Sequence, residues 1–263
     1  MKSGFSNFAN SLIAPLGLKL IRKPAYESEY PIEATKKEQD IMNYVQGYTK
    51  SSQRLTMVSS DRLWAAINAV KYVVNAGVDG DIVECGVWRG GCSLAMAMML
   101  KEMNSAKKII LFDTFAGMTT PCDKDIEAYS KTSAYGQYNQ NAEAELNQWC
   151  YASIEDVKNN FEKANCTDYA KYIEGNILST LDNNRNLPSC ISLLRLDTDF
   201  YESTKKEMTV LYPLLQKFGV LLVDDYGFWE GSRKAVDEYF KVSTTASPLL
   251  WKTDHTGRGI LKV

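Results

Sequence analysis

The segment 81–93 (DIVECGVWRGGCS) constrains the fold of this chain more than any other. The apolar pair Ile82 and Val83 leads to Glu84 and then to a turn with three glycines, and an apolar stretch of helical composition follows over 94–100. A strand, a glycine turn and a helix in this order are typical of the ligand-binding unit of a doubly wound α/β sheet. The sequence therefore predicts a largely parallel sheet that binds a nucleotide-like ligand at this turn.

The turn carries neither of two common phosphate-binding patterns, G-x-G-x-x-G and G-x-x-x-x-G-K-[ST]. This departure points away from a pyrophosphate or a triphosphate and towards a cofactor without phosphate groups, such as S-adenosylmethionine. Asp113, at the end of the next predicted strand, is placed to accept hydrogen bonds from a ribose diol. Because the ribose of NAD suits the same carboxylate, an NAD-dependent oxidoreductase of Rossmann type stays open as an alternative.

Composition and charge exclude several classes of protein. The 263 residues, 45% of them hydrophobic, suffice for one sizeable core and an appended lobe. A net charge of -2 with scattered basic residues argues against a nucleic-acid partner, and the single histidine argues against a Ser-His-Asp triad. No apolar run reaches about 18 residues, so we expect no stable membrane insertion. The six cysteines lack C-x-x-C spacing, which predicts a reduced, cytoplasmic protein.

Apolar runs alternate with helical patterns along most of the chain, which predicts a seven-stranded, mostly parallel, doubly wound sheet. The predicted strands lie at 82–85, 109–112, 172–174, 191–196, 220–223, 249–252 and 260–263. The predicted helices lie at 36–48, between the cap candidates at 59–61 and Gly77, at 94–100, from 153 onward, at 203–216 and at 231–240. The last two strands form an antiparallel hairpin, an ending that fits an S-adenosylmethionine methyltransferase better than a Rossmann dehydrogenase.

Two regions fall outside this alternation. Residues 1–55 are predicted to form a helical N-terminal arm, for which we expect a lid or dimerisation role in a homo-oligomer; peripheral membrane contact by its apolar stretch 8–21 stays open. Residues 119–150 are polar and aromatic with little periodicity, which predicts a long insertion of the kind that forms lids. The insertion belongs to the α/β domain, predicted over 56–263.

Acidic residues lie at the ends of four of the predicted strands. They are Glu84, Asp113, Asp197, Asp199, Asp224 and Asp225. In an open α/β sheet, ligands bind beyond the carboxyl ends of the strands, so these side chains converge on one edge. Because carboxylates this close repel one another strongly, we expect a cation among them.

The pairs Asp197/Asp199 and Asp224/Asp225 are the candidate metal ligands. Asp197 and Asp199 are two residues apart, so in an extended segment both point to the same face. Carboxylate oxygens suit a hard cation, and Mg²⁺ is the expected one in a reducing compartment. A bound metal lowers the pKa of a coordinated hydroxyl. With three carboxylates as ligands, the fourth is free to accept the proton as general base.

Four blocks of this chain resemble the macrocin O-methyltransferase family, the metal-dependent sugar O-methyltransferases of macrolide and aminocoumarin biosynthesis. The blocks are 83–91 (VECGVWRGG), 113–118 (DTFAGM), 194–204 (LRLDTDFYEST) and 223–227 (VDDYG). The resemblance runs from about residue 55 to the C-terminus. It implies the class I S-adenosylmethionine methyltransferase fold and methyl transfer to a sugar hydroxyl.

The resemblance also assigns roles to individual residues. It implies Mg²⁺ held by Asp197, Asp224 and Asp225, with Asp199 as the general base. Some relatives carry a histidine base two residues after the aspartate pair; this chain has Gly227 there, which favours Asp199. The implied S-adenosylmethionine contacts are Met57, Glu84, Gly86, Ser93, Asp113, Phe115, Ser153, Asn176 and Asp197. The implied acceptor is a small-molecule sugar or glycoside, either in a natural product or in a surface polysaccharide.

One departure from the family concerns the adenine. The third strand of relatives usually ends in an acidic residue near the adenine, whereas Gly175 and Asn176 stand here. An asparagine still hydrogen-bonds an adenine amine. A non-catalytic pathway scaffold that binds S-adenosylmethionine stays open beside the oxidoreductase, although the intact set of four aspartates argues against it.

Overall fold

The computed structural model describes residues 30–50, 52–144, 146–243 and 248–263. Residues 35–263 form one compact unit. The apolar stretch at 8–21 lies outside the described residues, so the lid or dimerisation role of the arm 1–55 stays a prediction. No described helix combines the length and the apolar character required to cross a lipid bilayer.

Strands and helices alternate through the described part of the chain. The strands are β1 (Asp81–Cys85), β2 (Ile109–Asp113), β3 (Ala170–Glu174), β4 (Ile191–Leu196), β5 (Leu215–Val223), β6 (Trp251–Lys252) and β7 (Arg258–Leu261). The helices are α1 (Lys36–Gln46), α2 (Ser60–Asn75), α3 (Gly91–Glu102), α4 (Ala134–Gln140), α5 (Ile154–Lys163), α6 (Ile177–Thr180), α7 (Tyr201–Val210) and α8 (Glu230–Ser243).

The described strands form a single sheet in the order β3-β2-β1-β4-β5-β7-β6. The strands from β3 to β5 are parallel, β7 runs antiparallel to β5, and β6 pairs with β7. This topology confirms the predicted doubly wound sheet with a C-terminal antiparallel hairpin. The strand order reverses between β1 and β4, which is where open α/β sheets bind ligands.

The centre of the sheet is apolar. β4 is buried along its whole length and β1 along all but its first residue. One core cluster packs Val83 and Leu194 of these strands with Met208 of α7 and Val236 of α8. Because apolar side chains fill this centre, polar side chains gather beyond the carboxyl ends of β1 and β4.

The helix predicted over 203–216 was wrong at its C-terminal end. α7 ends at Val210, and a 3₁₀ turn over Tyr212–Leu214 leads directly into β5. Pro213 lies in that turn, and because proline has no backbone N–H and clashes with the preceding turn, it ends the helix. β5 consequently begins at Leu215, well before the predicted start at 220.

The 119–150 insertion is more regular than predicted, since it contains α4. Several hydrogen bonds also join it to the sheet domain. Asp125 Oδ1 accepts a hydrogen bond of 2.7 Å from the backbone N–H of Tyr201, the first residue of α7. Next to α8, the backbone N–H of Ala128 donates to the carbonyl of Phe228 at 2.7 Å. The insertion therefore packs against the carboxyl end of the sheet.

Candidate active site

A cavity of about 430 Å³ opens at the carboxyl ends of β1, β4 and β5. Its volume lies in the range of small-molecule binding sites. The predicted site residues that line it are Met57, Glu84, Gly86, Asp113, Asp197, Asp199, Asp224 and Asp225. The glycine turn and the four aspartates therefore belong to one site.

Gly86 allows the glycine turn and β4 to approach each other closely. Its φ of 82° lies in the left-handed region, which favours glycine. A Cβ at this position would lie 2.0 Å from the backbone oxygen of Asp197. Asp197 in turn donates its N–H to the carbonyl of Cys85 at 2.8 Å. The close approach sets the first aspartate directly beside the turn.

Asp113, at the end of β2, holds the glycine turn through backbone hydrogen bonds. Its carboxylate accepts hydrogen bonds from the backbone N–H groups of Val87 at 2.6 Å, Trp88 at 3.2 Å and Phe115 at 2.7 Å. Burial raises the pKa of Asp113, and these three hydrogen bonds act in the opposite direction. The Thr114 hydroxyl is a fourth, longer donor, 3.4 Å from Asp113 Oδ1, and the ribose contact of Asp113 stays a prediction.

Arg195 of β4 forms the centre of a buried ion-pair network. Its side chain is 3% exposed, and its Nη1 donates to the Glu84 carboxylate and, at 2.8 Å, to Asp197 Oδ2. Its Nη2 donates to Asp224 Oδ1. Burial acts to lower the pKa of Arg195, but the charges of Asp197 and Asp224 outweigh it, so the guanidinium stays charged. Sequence reasoning missed this residue; the available signal is an arginine inside an otherwise largely apolar strand.

Glu84 connects this network to the glycine turn. Its second carboxylate oxygen accepts a hydrogen bond from the Ser93 hydroxyl in the first turn of α3. Burial raises the pKa of Glu84 to about 7, while the Arg195 charge acts to lower it. Ser93 is fully buried behind Glu84, so its hydroxyl supports the carboxylate.

A second arginine, Arg62 of α2, also binds Asp224. Its Nη1 donates to Asp224 Oδ2, and its Nε lies 2.8 Å from Asp254 Oδ2. Asp254 also accepts a hydrogen bond of 2.8 Å from the Ser59 hydroxyl. Each oxygen of Asp224 is therefore bound by an arginine. These ion pairs were not predicted, because the residues that form them are distant in sequence.

Three carboxylates converge beside this network. Asp197, Asp199 and Asp225 each offer an oxygen, and these oxygens all lie within 4.8 Å of one another. Asp225 Oδ2 is buried and has no hydrogen-bond partner among the described residues. Asp197 and Asp199 were expected to share one face of an extended segment. Instead, Asp199 has a φ of 67°, so a left-handed turn brings these two aspartates together. The all-oxygen donor set and the unpartnered buried oxygen fit a hard cation such as Mg²⁺.

Burial and mutual repulsion disfavour negative charge on these three groups. Burial raises the pKa of Asp199 to about 7. Burial also raises the pKa values of Asp197 and Asp225 well above the ordinary range, and the neighbouring carboxylates add to this effect. The resemblance counts Asp224 among the ligands, whereas the structure gathers Asp199 with Asp197 and Asp225. The identity of the third ligand stays a prediction.

Four predicted cofactor contacts lie outside the described lining of the cavity: Ser93, Phe115, Ser153 and Asn176. Ser153 caps α5 by accepting from the N–H of Asp156 at 3.2 Å. Asn176 caps α6 by accepting from the N–H of Leu178 at 2.9 Å. The neighbours of Asn176 on both sides, Gly175 and Ile177, do line the cavity. The cofactor roles of the four residues stay predictions.

The macrocin O-methyltransferase (TylF) family matches residues 11–258 of this chain. The chain belongs to this family. It is therefore an S-adenosylmethionine-dependent O-methyltransferase, which is the activity that the four sequence blocks implied.

Two curated relatives of this TylF family member are O-methyltransferases of streptomycetes. Demethyldecarbamoylnovobiocin O-methyltransferase of Streptomyces niveus is 27% identical over 240 residues, which cover 90% of this chain and 86% of the relative. The 4'-O-methyltransferase of Streptomyces olivaceus that acts on 8-demethyl-8-(2,3-dimethoxy-alpha-L-rhamnosyl)-tetracenomycin C is 32% identical over 187 residues, which cover 70% of this chain and 67% of that relative.

Solved structures agree with the fold. The O-methyltransferase NovP superposes with a TM-score of 0.67 at 26% identity, and the match covers 99% of this chain and 98% of NovP. The calicheamicin methyltransferase CalS11 gives a TM-score of 0.59 at 17% identity, covering 92% of this chain and 99% of CalS11, a likeness of fold alone.

An aromatic wall faces the aspartates in this TylF family member. Trp149 of the insertion and Phe228 and Trp229 before α8 line the cavity. Trp149 and Trp229 lie 6.1 Å apart between ring centroids, and Phe200 packs edge-on against both. Aromatic faces of this kind pack against apolar ligand surfaces. Phe200 and Trp229 are themselves buried in a small core cluster with Ala134, so they also serve the packing of this region.

Proposed function

We propose that this enzyme methylates a sugar hydroxyl of a glycosylated small molecule, using S-adenosylmethionine and Mg²⁺. The observation that carries the proposal is the cluster of Asp197, Asp199 and Asp225 in the same cavity as the glycine turn. The names of the relatives support a glycoside acceptor, since they refer to novobiocin, tetracenomycin and mycinamicin compounds. A surface-polysaccharide sugar stays an alternative acceptor of the same chemical class.

Asp197, Asp225 and Asp224 are the residues that we assign to the metal. Asp197 and Asp225 belong to the cluster, and Asp225 has the unpartnered buried oxygen. Asp224 precedes Asp225 at the end of β5, and its oxygens have lone pairs beyond those used by the two arginines. When bound there, Mg²⁺ supplies charge that favours the ionised form of a coordinated hydroxyl.

Asp199 is the residue that we assign as general base. It lies in the cluster, at the end of the turn 197–199 that precedes α7, and burial raises its pKa to about 7 without a metal. A cation bound beside Asp199 would lower this pKa and keep the carboxylate ionised, which is the form that accepts a proton. The acceptor oxygen attacks the methyl carbon, the C–S bond to S-adenosylhomocysteine breaks, and the acceptor proton passes to an Asp199 oxygen.

The ion-pair network fixes the distance between the two halves of the site. Glu84 stands at the glycine turn, Asp224 at the aspartate pair, and Arg195 binds both. Because methyl transfer requires an in-line approach of the acceptor oxygen to the methyl carbon, rate depends on this positioning. The network supplies a rigid, buried connection that holds donor and acceptor sites in register.

A screen of glycosides for methyl transfer tests the proposal. Bound metal is removed from the protein with a chelator. The protein is then assayed with S-adenosylmethionine, with and without added Mg²⁺, against a panel of sugar nucleotides, small-molecule glycosides and polysaccharide fragments. We expect transfer to a glycoside only after Mg²⁺ is restored. Turnover that is unchanged by chelation and add-back contradicts the metal role, and transfer to a non-sugar hydroxyl alone contradicts the acceptor class.

A homodimer in the cytoplasm without a nucleic-acid partner remains our expectation for the assembly. The mass of the purified protein by light scattering decides the oligomeric part. A monomeric mass at the working concentration would remove the dimerisation role proposed for the arm 1–55.

A further inference from the structure

Glu207 of α7 is a buried carboxyl that the proposed mechanism does not use. Its side chain is completely buried. One of its oxygens accepts a hydrogen bond from Thr198 Oγ1 at 2.8 Å, and the other has no partner among the described residues. The next residue of the helix, Met208, belongs to the apolar core. Because an apolar side chain would avoid the cost of burying a carboxyl, the bond to Thr198 is what distinguishes Glu207 from a packing residue.

Thr198 is the middle residue of the turn 197–199, which carries two of the clustered aspartates. The carbonyl of Thr198 accepts a hydrogen bond of 2.7 Å from the N–H of Phe200, which closes a tight turn around Asp199. The φ of 67° at Asp199 is costly for a residue with a side chain, and such a conformation persists only where the surroundings hold it. The hydroxyl of Thr198 fastens this turn to α7.

The carboxylates themselves oppose the same turn. The oxygens of Asp197, Asp199 and Asp225 lie within 4.8 Å of one another, and when these groups are ionised without a cation their mutual repulsion favours any backbone change that separates them. Release of Asp199 from the left-handed region would carry its carboxylate away from the other two. An anchor on Thr198 opposes that release.

We propose that Glu207 is a positioning residue, which through Thr198 holds the turn 197–199 in the conformation that gathers the three carboxylates. Glu207 does not line the described cavity and touches no reacting group, so it acts through Thr198 alone. The inference rests on the proposed function, which assigns these carboxylates to the metal and to proton transfer.

Five variants separate positioning from packing. Thr198→Val removes the hydroxyl with little change of shape, and Glu207→Met replaces the carboxyl by an apolar side chain of similar length. Thr198→Ser and Glu207→Gln keep a donor and an acceptor for the bond. Met208→Ala is the matched control, because it removes a buried side chain at the next position of the same helix.

Two readouts are compared at a temperature where circular dichroism shows every variant folded. The first is the affinity for Mn²⁺, which suits the same oxygen ligands, by isothermal titration calorimetry. The second is kcat beside KM for S-adenosylmethionine. We expect Thr198→Val and Glu207→Met to weaken Mn²⁺ binding and to lower kcat about tenfold, with KM within about twofold. Thr198→Ser and Glu207→Gln should recover most of both losses, and Met208→Ala should lower only Tm.

The outcomes bear on two claims, the positioning role of Glu207 and the proposed function. Unchanged Mn²⁺ affinity and kcat in Thr198→Val and Glu207→Met overturn the positioning role and leave the proposed function standing. Equal losses in Met208→Ala, or no recovery in the conservative variants, also overturn it. Mn²⁺ binding without methyl transfer to any glycoside overturns the proposed function, and the Mn²⁺ affinities then still decide the role of Glu207. An unsubstituted protein that binds no Mn²⁺ overturns both.

Discussion

Arg195 on β4 lies directly opposite Glu84 on β1, and the two side chains form a buried ion pair near the carboxyl ends of these strands. The same guanidinium binds Asp197 and Asp224. One arginine therefore compensates carboxylates from both halves of the site. Removal of one partner from such a network leaves uncompensated buried charge, and this strongly lowers the free energy of unfolding.

Substitution of Arg195 by methionine should destabilise the protein strongly. The variant retains the length of the side chain but leaves Glu84, Asp197 and Asp224 without their shared cation. We expect a loss of about 3–5 kcal/mol in the free energy of unfolding. Urea denaturation, monitored by circular dichroism, measures this free energy. Substitution of the exposed Arg185 by methionine is the control and should change stability by less than about 0.5 kcal/mol. Similar stabilities of the two variants would show that the network contributes nothing.

Gly86→Ala should damage both stability and the cofactor site. The added methyl group meets the backbone of Asp197 at 2.0 Å, and the φ of 82° disfavours any side chain. We expect a loss of about 2 kcal/mol or more in unfolding free energy and weaker binding of S-adenosylhomocysteine.

Gly136→Ala is the matched control for that substitution. Gly136 lies in α4, and a methyl group added there meets nothing within 4 Å. Alanine in place of a helical glycine should be neutral or stabilising by about 0.5–1 kcal/mol. Calorimetric titration with S-adenosylhomocysteine and thermal unfolding measure both variants. Unaltered binding and stability in Gly86→Ala would contradict the close approach of the turn and β4.

Much of this fold was predictable because its signals are local. Apolar runs such as 191–196 define the strands, and acidic residues directly after them locate the edge where ligands bind. The error at the end of α7 has a local cause as well, since Pro213 interrupts a pattern that otherwise continues.

The ion pairs could not be predicted from one sequence. The ion-paired Arg62 and Asp224 are 162 residues apart, and the hydrogen-bonded Ser59 and Asp254 are 195 apart, so only the folded chain brings them together. The left-handed conformation of Asp199 has no sequence signal either, because it is held by contacts of its neighbours. Spacing alone predicted that Asp197 and Asp199 lie on one face of an extended segment, whereas in the structure a left-handed turn brings them together.

Glu207 should make stability depend on pH. Burial raises the pKa of Glu207 to about 8, above the value of about 4.3 typical of an unfolded chain. Between these values the folded protein binds more protons, so its stability falls as pH rises through this window. Glu207→Gln removes this contribution and should gain stability relative to the unsubstituted protein from pH 5 to pH 8. Urea denaturation at both pH values measures the difference; a difference that is constant with pH contradicts the protonated, buried carboxyl.

Ligand-induced stabilisation should show that the glycine turn binds S-adenosylhomocysteine and not NAD. A ligand that binds only the folded chain at a hundredfold excess over its Kd raises the unfolding free energy by about 2.7 kcal/mol. We expect S-adenosylhomocysteine to raise Tm accordingly and NAD to leave it unchanged. Stabilisation by NAD alone would contradict the assignment of the glycine turn.

The central claim is that Asp199, beside the metal, takes up the proton of the acceptor hydroxyl. The most direct measurement is the single-turnover rate of methyl transfer by Asp199→Asn with saturating S-adenosylmethionine, Mg²⁺ and the best glycoside. The claim predicts a fall of about 10²–10⁴ in rate, with S-adenosylhomocysteine and Mn²⁺ still bound. Asp182→Asn, at an exposed aspartate, should react at the unsubstituted rate. If Asp199→Asn also transfers the methyl group as fast as the unsubstituted protein, the claim is contradicted.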